Sequence, residues 1–184
     1  MKIGIISDTH GDLATWQKVM AEYFIDVDYI IHAGDVLYHG PRNPLVPGYN
    51  PAGLAEAING SSIPVVIARG NCDANVDQLV LDFPLQAPYA LIRENSLTVL
   101  VNHGDGLSRE AMVKQAHTYR VDIFISGHTH EPLLEIEDGV ILLNPGSCAL
   151  PKGDGTPTVA LLENKKISLI NINTGAELAA VVLS

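Results

Sequence analysis

The sequence predicts an α/β domain, on three observations. Short apolar runs rich in β-branched residues, Ile3 to Ile6, Tyr29-Ile30-Ile31 and Pro64 to Ala68, read as strands covered on both faces. Helical segments alternate with them in strand–helix order, which is an α/β opening. Each strand runs out into a cluster of Asp, His, Asn and Gly, and open α/β sheets bind ligands outside the carboxyl ends of their strands.

The elements follow in order. After the first strand, Leu13, Trp16, Val19, Met20, Tyr23 and Phe24 recur at helical spacing, with Asp12 as the cap. Trp16 and the other aromatics of this stripe are read as core. The second strand ends in His32-Ala33-Gly34-Asp35, and His32 is expected to support the site from behind or to lie in the core. From Tyr38 to Asn50 the chain carries Pro41, Pro44, Pro47 and Gly48, which excludes regular structure; loops of this length are often functional. Pro51 then starts a helix over Ala52 to Ile58, stopped by Asn59-Gly60. The third strand ends in Arg69-Gly70-Asn71-Cys72-Asp73.

The second half changes pattern. Ala90 to Arg93 and Leu97 to Val101 suit a hairpin across Glu94-Asn95-Ser96, and the second strand ends in Asn102-His103-Gly104-Asp105. Arg109 to Tyr119 reads as a helix capped by Ser108, with His117 on its surface. Val121 to Ser126 is a strand that ends in Gly127-His128-Thr129-His130. Leu133 to Glu137 and Val140 to Leu143 flank Asp138-Gly139, a strong hairpin signal. Asn144-Pro145-Gly146-Ser147 reads as a turn, and Val159 to Leu162, Ile167 to Ile172 and Leu178 to Leu183 read as the closing strands.

Bulk properties narrow the function classes. A chain of 184 residues can build one domain with a sizeable core. The net charge of −10 argues against a general nucleic-acid or anionic-membrane surface. It leaves an anionic substrate possible, because bound cations reverse the local sign. Two cysteines, Cys72 and Cys148, make no disulfide framework and suit a reducing compartment. No apolar stretch reaches the ~18 residues needed to span a bilayer, and the N-terminal run lacks a signal-peptide pattern. A cytoplasmic protein is expected.

Five clusters carry the chemistry: Asp8-Thr9-His10, Gly34-Asp35, Gly70-Asn71, His103-Gly104 and Gly127-His128-Thr129-His130. Singly, each has a bland reading as a turn or cap. Together, all at strand ends, they point to metal, since imidazole and carboxylate bind divalent first-row ions well.

The constellation resembles the calcineurin-like metallophosphoesterases over nearly the whole chain. Their pattern of D-x-H, G-D, G-N, H-G and G-H-x-H stands here in order, and with the loop Gly34 to Asn43, Gly70 to Asp73 and Asn144 to Ser147 it looks like the small bacterial YfcE-type phosphodiesterases. The resemblance implies one metallophosphoesterase domain over 1–184, a four-layer αββα sandwich in which two facing mixed β-sheets are flanked by helices. It assigns one metal to Asp8, His10, Asp35 and His130, and a second to Asp35, Asn71, His103 and His128, with Asp35 bridging. These seven residues would also serve catalysis. The mixed N/O donor set suits Mn²⁺, Fe, Zn²⁺ or Ni²⁺ over an all-oxygen Ca²⁺ or Mg²⁺ site, and the resemblance points to two Mn²⁺ ions. Two ions ~3.5–4 Å apart can acidify a shared water, whose hydroxide attacks phosphorus in line.

Many relatives carry His after the motif Asn; here that position is Cys72. The thiol is a packing residue, the leaving-group acid or a redox element, and as an acid it is poorly matched to neutral pH. His39 and Arg42 in the Pro-rich loop could reach the substrate, Arg with a fork suited to phosphate oxygens. Asp12, Asp73 and Asp105 are expected either to hydrogen-bond site groups or to cap turns.

The expected activity is a phosphodiesterase on small substrates, with a phosphomonoesterase or nucleotide pyrophosphohydrolase as the alternative. A non-catalytic protein-binding scaffold of the Vps29 type is the alternative of another class. An amidohydrolase barrel is excluded by length, since it needs about 250 residues. The expected partner is a small-molecule phosphoester, with no nucleic-acid or membrane surface. The C-terminal apolar strands could pair in a homo-oligomer.

Overall fold

The structure, a computed structural model, describes residues 1–94 and 96–183. It contains twelve strands and three α-helices among these residues. The strands are β1 (Lys2–Ile6), β2 (Tyr29–His32), β3 (Val65–Ala68), β4 (Leu85–Gln86), β5 (Ala90–Glu94), β6 (Leu97–Val101), β7 (Ile123–Ile125), β8 (Pro132–Glu137), β9 (Val140–Pro145), β10 (Thr158–Glu163), β11 (Lys166–Asn171) and β12 (Glu177–Val182). The helices are α1 (Leu13–Glu22), α2 (Pro51–Asn59) and α3 (Arg109–Tyr119).

One sheet has the order β12-β11-β10-β1-β2-β3-β4 and the other β5-β6-β7-β9-β8. Strands β1 to β4 run parallel in the first, and β6, β7 and β9 in the second; antiparallel strands complete both. This is the expected pair of facing mixed sheets with helices outside.

Strand periodicity explains the layering. Ile3, Ile5, Ile31, Ala68, Val99, Val101, Ile123, Ile125, Ile141 and Leu143 fill the space between the sheets. Their alternate neighbours Ile6, Ile30, Val65 and Ile67 pack outward against Trp16 and Val19 of α1 and Leu54 and Ile58 of α2. On the far side Leu100, Phe124, Val140 and Leu142 pack against Val113 and Ala116 of α3. Both faces of the central strands are covered, which is why their sequences read as unbroken apolar runs.

The caps fall as the sequence reads: Asp12 Oδ1 accepts from Thr15 N at 3.0 Å and Ser108 Oγ from Ala111 N at 3.3 Å. His117 is exposed on α3, as expected. Three local readings need correction. Helix α1 stops at Glu22, so Phe24 lies beyond it and packs its ring on the backbone of Gly4. Asn144 and Pro145 end strand β9 instead of forming a turn; a terminal strand position tolerates proline's missing N–H. The two-residue strand β4 and a 3₁₀ turn over Asn75–Leu79 were not foreseen, because elements this short carry no period. Strands β5 and β6 do pair antiparallel, but Asn95 in their expected turn lies outside the described residues. No helix among the described residues is long and apolar enough to cross a membrane.

Gly4 sits where a Cβ would come within 2.7 Å of the Phe24 ring. Gly4→Ala therefore overpacks the helix-facing layer and is expected to destabilise the fold by roughly 1–3 kcal/mol. A denaturant melt of the variant, with Phe24→Leu as partial rescue in the double mutant, checks this.

Candidate metal centre

All five sequence clusters follow strands whose carboxyl ends meet at one edge of the sandwich: β1, β2 and β3 from one sheet, β6 and β7 from the other. Backbone bonds tie the loops together. Asp8 N donates to Gly34 O at 3.0 Å, His10 N to Asp35 O at 3.0 Å, and Gly127 N to His103 O at 2.9 Å. His128 N crosses between sheets to Asp8 Oδ2 at 3.1 Å. The approach of the β2 and β3 loops requires glycine, since a Cβ at Gly70 would stand 2.4 Å from Asp35 N.

Asp8, His10, Asp35, His103 and His130 form the buried heart of the site. Asp8 Oδ1 lies 3.2 Å from His130 Nε2, 3.7 Å from His10 Nε2 and 4.0 Å from His103 Nε2. Asp35 Oδ2 lies 3.3 Å from His103 Nε2 and 3.7 Å from His10 Nε2. Ligand atoms of Asp8, His10 and His130 fall within 4.8 Å of one another, as do those of Asp8, Asp35 and His103. His128 stacks edge-on against His103 with centroids 5.3 Å apart, and Asn71 and His128 stand on the wall of the cavity above. The Asn71 side chain is held near Cys72, its Nδ2 3.2 Å from Sγ.

Three imidazoles are oriented alike. Nδ1 of His10 donates to Tyr38 O at 2.7 Å, that of His103 to Ala33 O at 2.8 Å, and that of His130 to Leu150 O at 2.6 Å. This fixes the tautomer and turns each Nε2 lone pair inward, the arrangement that metal-binding histidines adopt. Asp8, His10, Asp35, His128 and His130 all have positive φ, between 44° and 68°. Such backbone costs of order 1–3 kcal/mol per residue and persists where the surroundings over-determine it, as at functional sites.

The donors fit divalent ions. Asp8 Oδ1 and His103 Nε2 are buried and have no hydrogen-bond partner. With Nδ1 of His103 committed to Ala33, both are lone pairs facing each other, which only a cation or a proton satisfies. Without metal a proton does so. Burial opposes the imidazolium of His103, but the Asp35 and Asp8 carboxylates outweigh it and raise its pKa to about 9. Burial likewise opposes ionisation of Asp8, and the imidazoles of His10 and His130 override it and hold the carboxyl well below the usual range.

A second layer braces these groups. Asp73 accepts from Asp35 N at 2.9 Å, Val36 N at 2.7 Å and Gly70 N at 2.7 Å, joining the β2 and β3 loops. The orienting role expected of Asp73 is thus present, while Asp12 is a helix cap and Asp105 is exposed. His32 is buried and accepts from Gly34 N at 3.1 Å, so its Nε2–H donates to Thr9 Oγ1 at 2.9 Å. Burial pushes its pKa down to about 4, consistent with this neutral form. Ser7 Oγ donates to Asp8 Oδ2 at 2.6 Å, Ser147 Oγ to Asp8 O at 2.8 Å, and Asn144 Nδ2 to Gly127 O at 2.7 Å. Ser7 is marked in the sequence only by standing beside Asp8, and Asn144 and Ser147 only by the resemblance of their segment; their bonds to the centre are not legible there.

The cavity holds about 670 Å³, and its lining includes Asp35, Asn71, His128 and His130 together with Tyr38, Arg42 and Lys152. Arg42 thus stands on the wall, as expected. Lys152 lines the cavity too; it lies in the loop after Asn144 to Ser147, where nothing in the sequence points to the cavity. His39 is not on this wall; its ring contacts Tyr38 and Tyr49, with Nδ1 3.3 Å from the Tyr49 hydroxyl. Cys72 also lines the cavity, and its N–H donates to Asp35 Oδ1 at 2.7 Å. Burial and the Asp35 carboxylate push its thiol up to about 12. A thiol of that pKa is a poor acid near neutrality, and its Sγ lies within 4.8 Å of ligand atoms of His10 and Asp35.

A four-layer αββα sandwich with an Asp/His/Asn centre at the joint strand ends defines a class of metal-dependent hydrolases. The chain belongs to the calcineurin-like phosphoesterase superfamily, whose domain profile matches residues 1–166. It is 35% identical over 186 aligned positions to phosphodiesterase YfcE of Escherichia coli K12, covering 100% of this chain and 99% of that one. The solved structure of that E. coli phosphoesterase superposes with a TM-score of 0.88 at 32% identity, with both chains covered completely. Vacuolar protein sorting 29 of Cryptosporidium parvum shares the fold, with a TM-score of 0.71 at 19% identity over 100% of this chain and 97% of that chain.

Two outcomes test the centre. A divalent ion bound at His103 Nε2 would displace its proton, so apparent affinity for a probe such as Mn²⁺ should climb about tenfold per pH unit through neutrality and level off near pH 9. An unperturbed imidazole would level off near 6.5; calorimetry in buffers of different ionisation enthalpy reads the proton released. Asp73→Asn replaces an acceptor of three N–H groups with a group that also donates. It should weaken metal binding by about 10–100-fold, measured by competition with a chelating dye.

Proposed function

We propose that this protein is a dinuclear metal-dependent phosphodiesterase acting on small phosphodiesters. The observation that carries the reading is the pair of buried, unpartnered lone pairs, Asp8 Oδ1 and His103 Nε2, facing one another inside a ring of inward-turned imidazoles. Asp8, His10, Asp35 and His130 would hold one ion and Asp35, Asn71, His103 and His128 the other. Asp35 Oδ2 faces both His10 and His103, which supports its bridging role. The nitrogen-rich donor set suits Mn²⁺, with Fe, Zn²⁺ or Ni²⁺ as substitutes. When bound, two such ions supply Lewis acidity to phosphoryl oxygens and lower the pKa of water toward neutrality.

The chain's own residues do the rest. His128 and His130 line the cavity that the phosphoryl group must enter, and Arg42 lines it too, with a fork suited to phosphate oxygens of the substrate. Asp73 and His32 keep the ligand loops in place while charge builds. The Cys72 thiol is poorly matched to acid catalysis near neutrality, so the leaving oxygen takes its proton from water. Diesters with acidic leaving groups should therefore react fastest. The similarity to an E. coli protein named a phosphodiesterase favours diesters over monoesters. A scaffold with a degraded centre is disfavoured because every expected donor is present.

Mn²⁺-loaded protein should turn over bis-p-nitrophenyl phosphate, and a chelator should abolish it; inertness with each of the four metals would overturn the reading. Cys72→His should raise turnover of alkyl diesters at least tenfold while changing aryl diesters little. The slope of log kcat against leaving-group pKa checks this, and an unaltered slope would restore another proton donor.

A further inference from the structure

Arg42 and Lys152 come from opposite ends of the fold's sequence, one from the Pro-rich loop after β2 and one from the loop after β9. Both line the metal-centre cavity. The chain has only 11 Lys and Arg against 21 Asp and Glu. Its ion pairs among the described residues engage Lys2, Arg109 and Lys166, and neither Arg42 nor Lys152 takes part in one. Two unpaired cations therefore face one cavity in a strongly acidic molecule.

Both are anchored. Lys152 N donates to His130 O at 3.1 Å, and Leu150 O takes the Nδ1–H of the same histidine, so the segment grips a candidate ligand from two sides. The Arg42 turn is closed by Asn43 Nδ2 donating to His39 O at 2.8 Å, and Tyr38 O just before it holds Nδ1 of His10. The two cations ride on the loops that orient the metal-facing imidazoles.

Charge accounting shows what they are for. Two divalent ions, held by Asp8 and Asp35 among others, would be offset by those carboxylates, and a diester monoanion with hydroxide would bring the centre to neutrality. The scissile phosphate thus leaves nothing for Arg42 and Lys152 to neutralise. A terminal phosphate, with a charge of about −1.5 to −2 and three acceptor oxygens, matches them in charge and chemistry.

We propose that Arg42 and Lys152 bind a second, non-scissile phosphate, so that the preferred substrates are diesters carrying a terminal phosphomonoester. This rests on the phosphodiesterase reading and deepens it. The pair sets specificity, because binding energy at a remote group of the substrate is spent at the reacting one.

The test compares a dinucleoside monophosphate with its 5′-phosphorylated form, using Mn²⁺-loaded protein. The wild type should show a kcat/KM ratio of at least 30 in favour of the phosphorylated form. Arg42→Ala and Lys152→Ala should each lower that ratio about tenfold, and Lys152→Arg should keep most of it. A ratio near one, or one that neither variant changes, overturns the proposal while turnover of both diesters leaves the phosphodiesterase reading intact. Calorimetry gives a readout free of turnover. Adenosine 3′,5′-bisphosphate should bind at least tenfold tighter than adenosine 3′-monophosphate, and the advantage should vanish in the Arg42→Ala/Lys152→Ala double variant. Equal binding of the two nucleotides overturns the proposal. If neither dinucleotide nor bis-p-nitrophenyl phosphate is hydrolysed, the phosphodiesterase reading fails, and the calorimetric comparison still decides the second-phosphate site.

Discussion

Two buried carboxylates, Asp8 and Asp35, face imidazole nitrogens at 3.2–4.0 Å, and the rest of the structure is arranged to keep them there. Left alone, such a cluster is unfavourable. Carboxylates resist burial, and lone pairs that meet without a donor lose the hydrogen bonds water would give them. It persists because positive charge completes it, as a proton on His103 or as divalent ions. The same debt of charge makes the site selective for cations and gives the metals their hold.

The cost of that arrangement is spread over the loops. Five of the residues that face the centre or its cavity hold positive φ, and glycine is needed where the β2 and β3 loops touch. Strain of this kind survives only on a stiff base. Three continuous apolar clusters supply it: one between the sheets and one under each helical layer. Parallel strands align their carboxyl ends at one edge, so a rigid core translates directly into a fixed donor geometry. Asp73 then couples the loops that bear Asp35 and Asn71 through three N–H bonds from one carboxylate.

Above the centre the chemistry is less crowded. Cys72 stands where an acid would be useful, yet its thiol is driven away from neutrality by burial and by Asp35. Arg42 and Lys152 share this cavity with the metal-facing donors.

Much of this could be read from the residues alone. Apolar runs with a period of two within them located the central strands, and polar clusters at their ends located every donor that the family resemblance assigns. These signals are local: a strand covered on both faces must be apolar throughout, and metal donors come from few residue types. What only the tertiary structure decided is everything that depends on distance between remote segments. Nothing local marks Lys152 and Arg42 as lining one cavity, Ser147 as a brace for Asp8, or burial and Asp35 as causes of the Cys72 shift. Those facts arise where two sheets bring their carboxyl ends together, because charge and hydrogen bonding act through space and the sequence records only order along the chain.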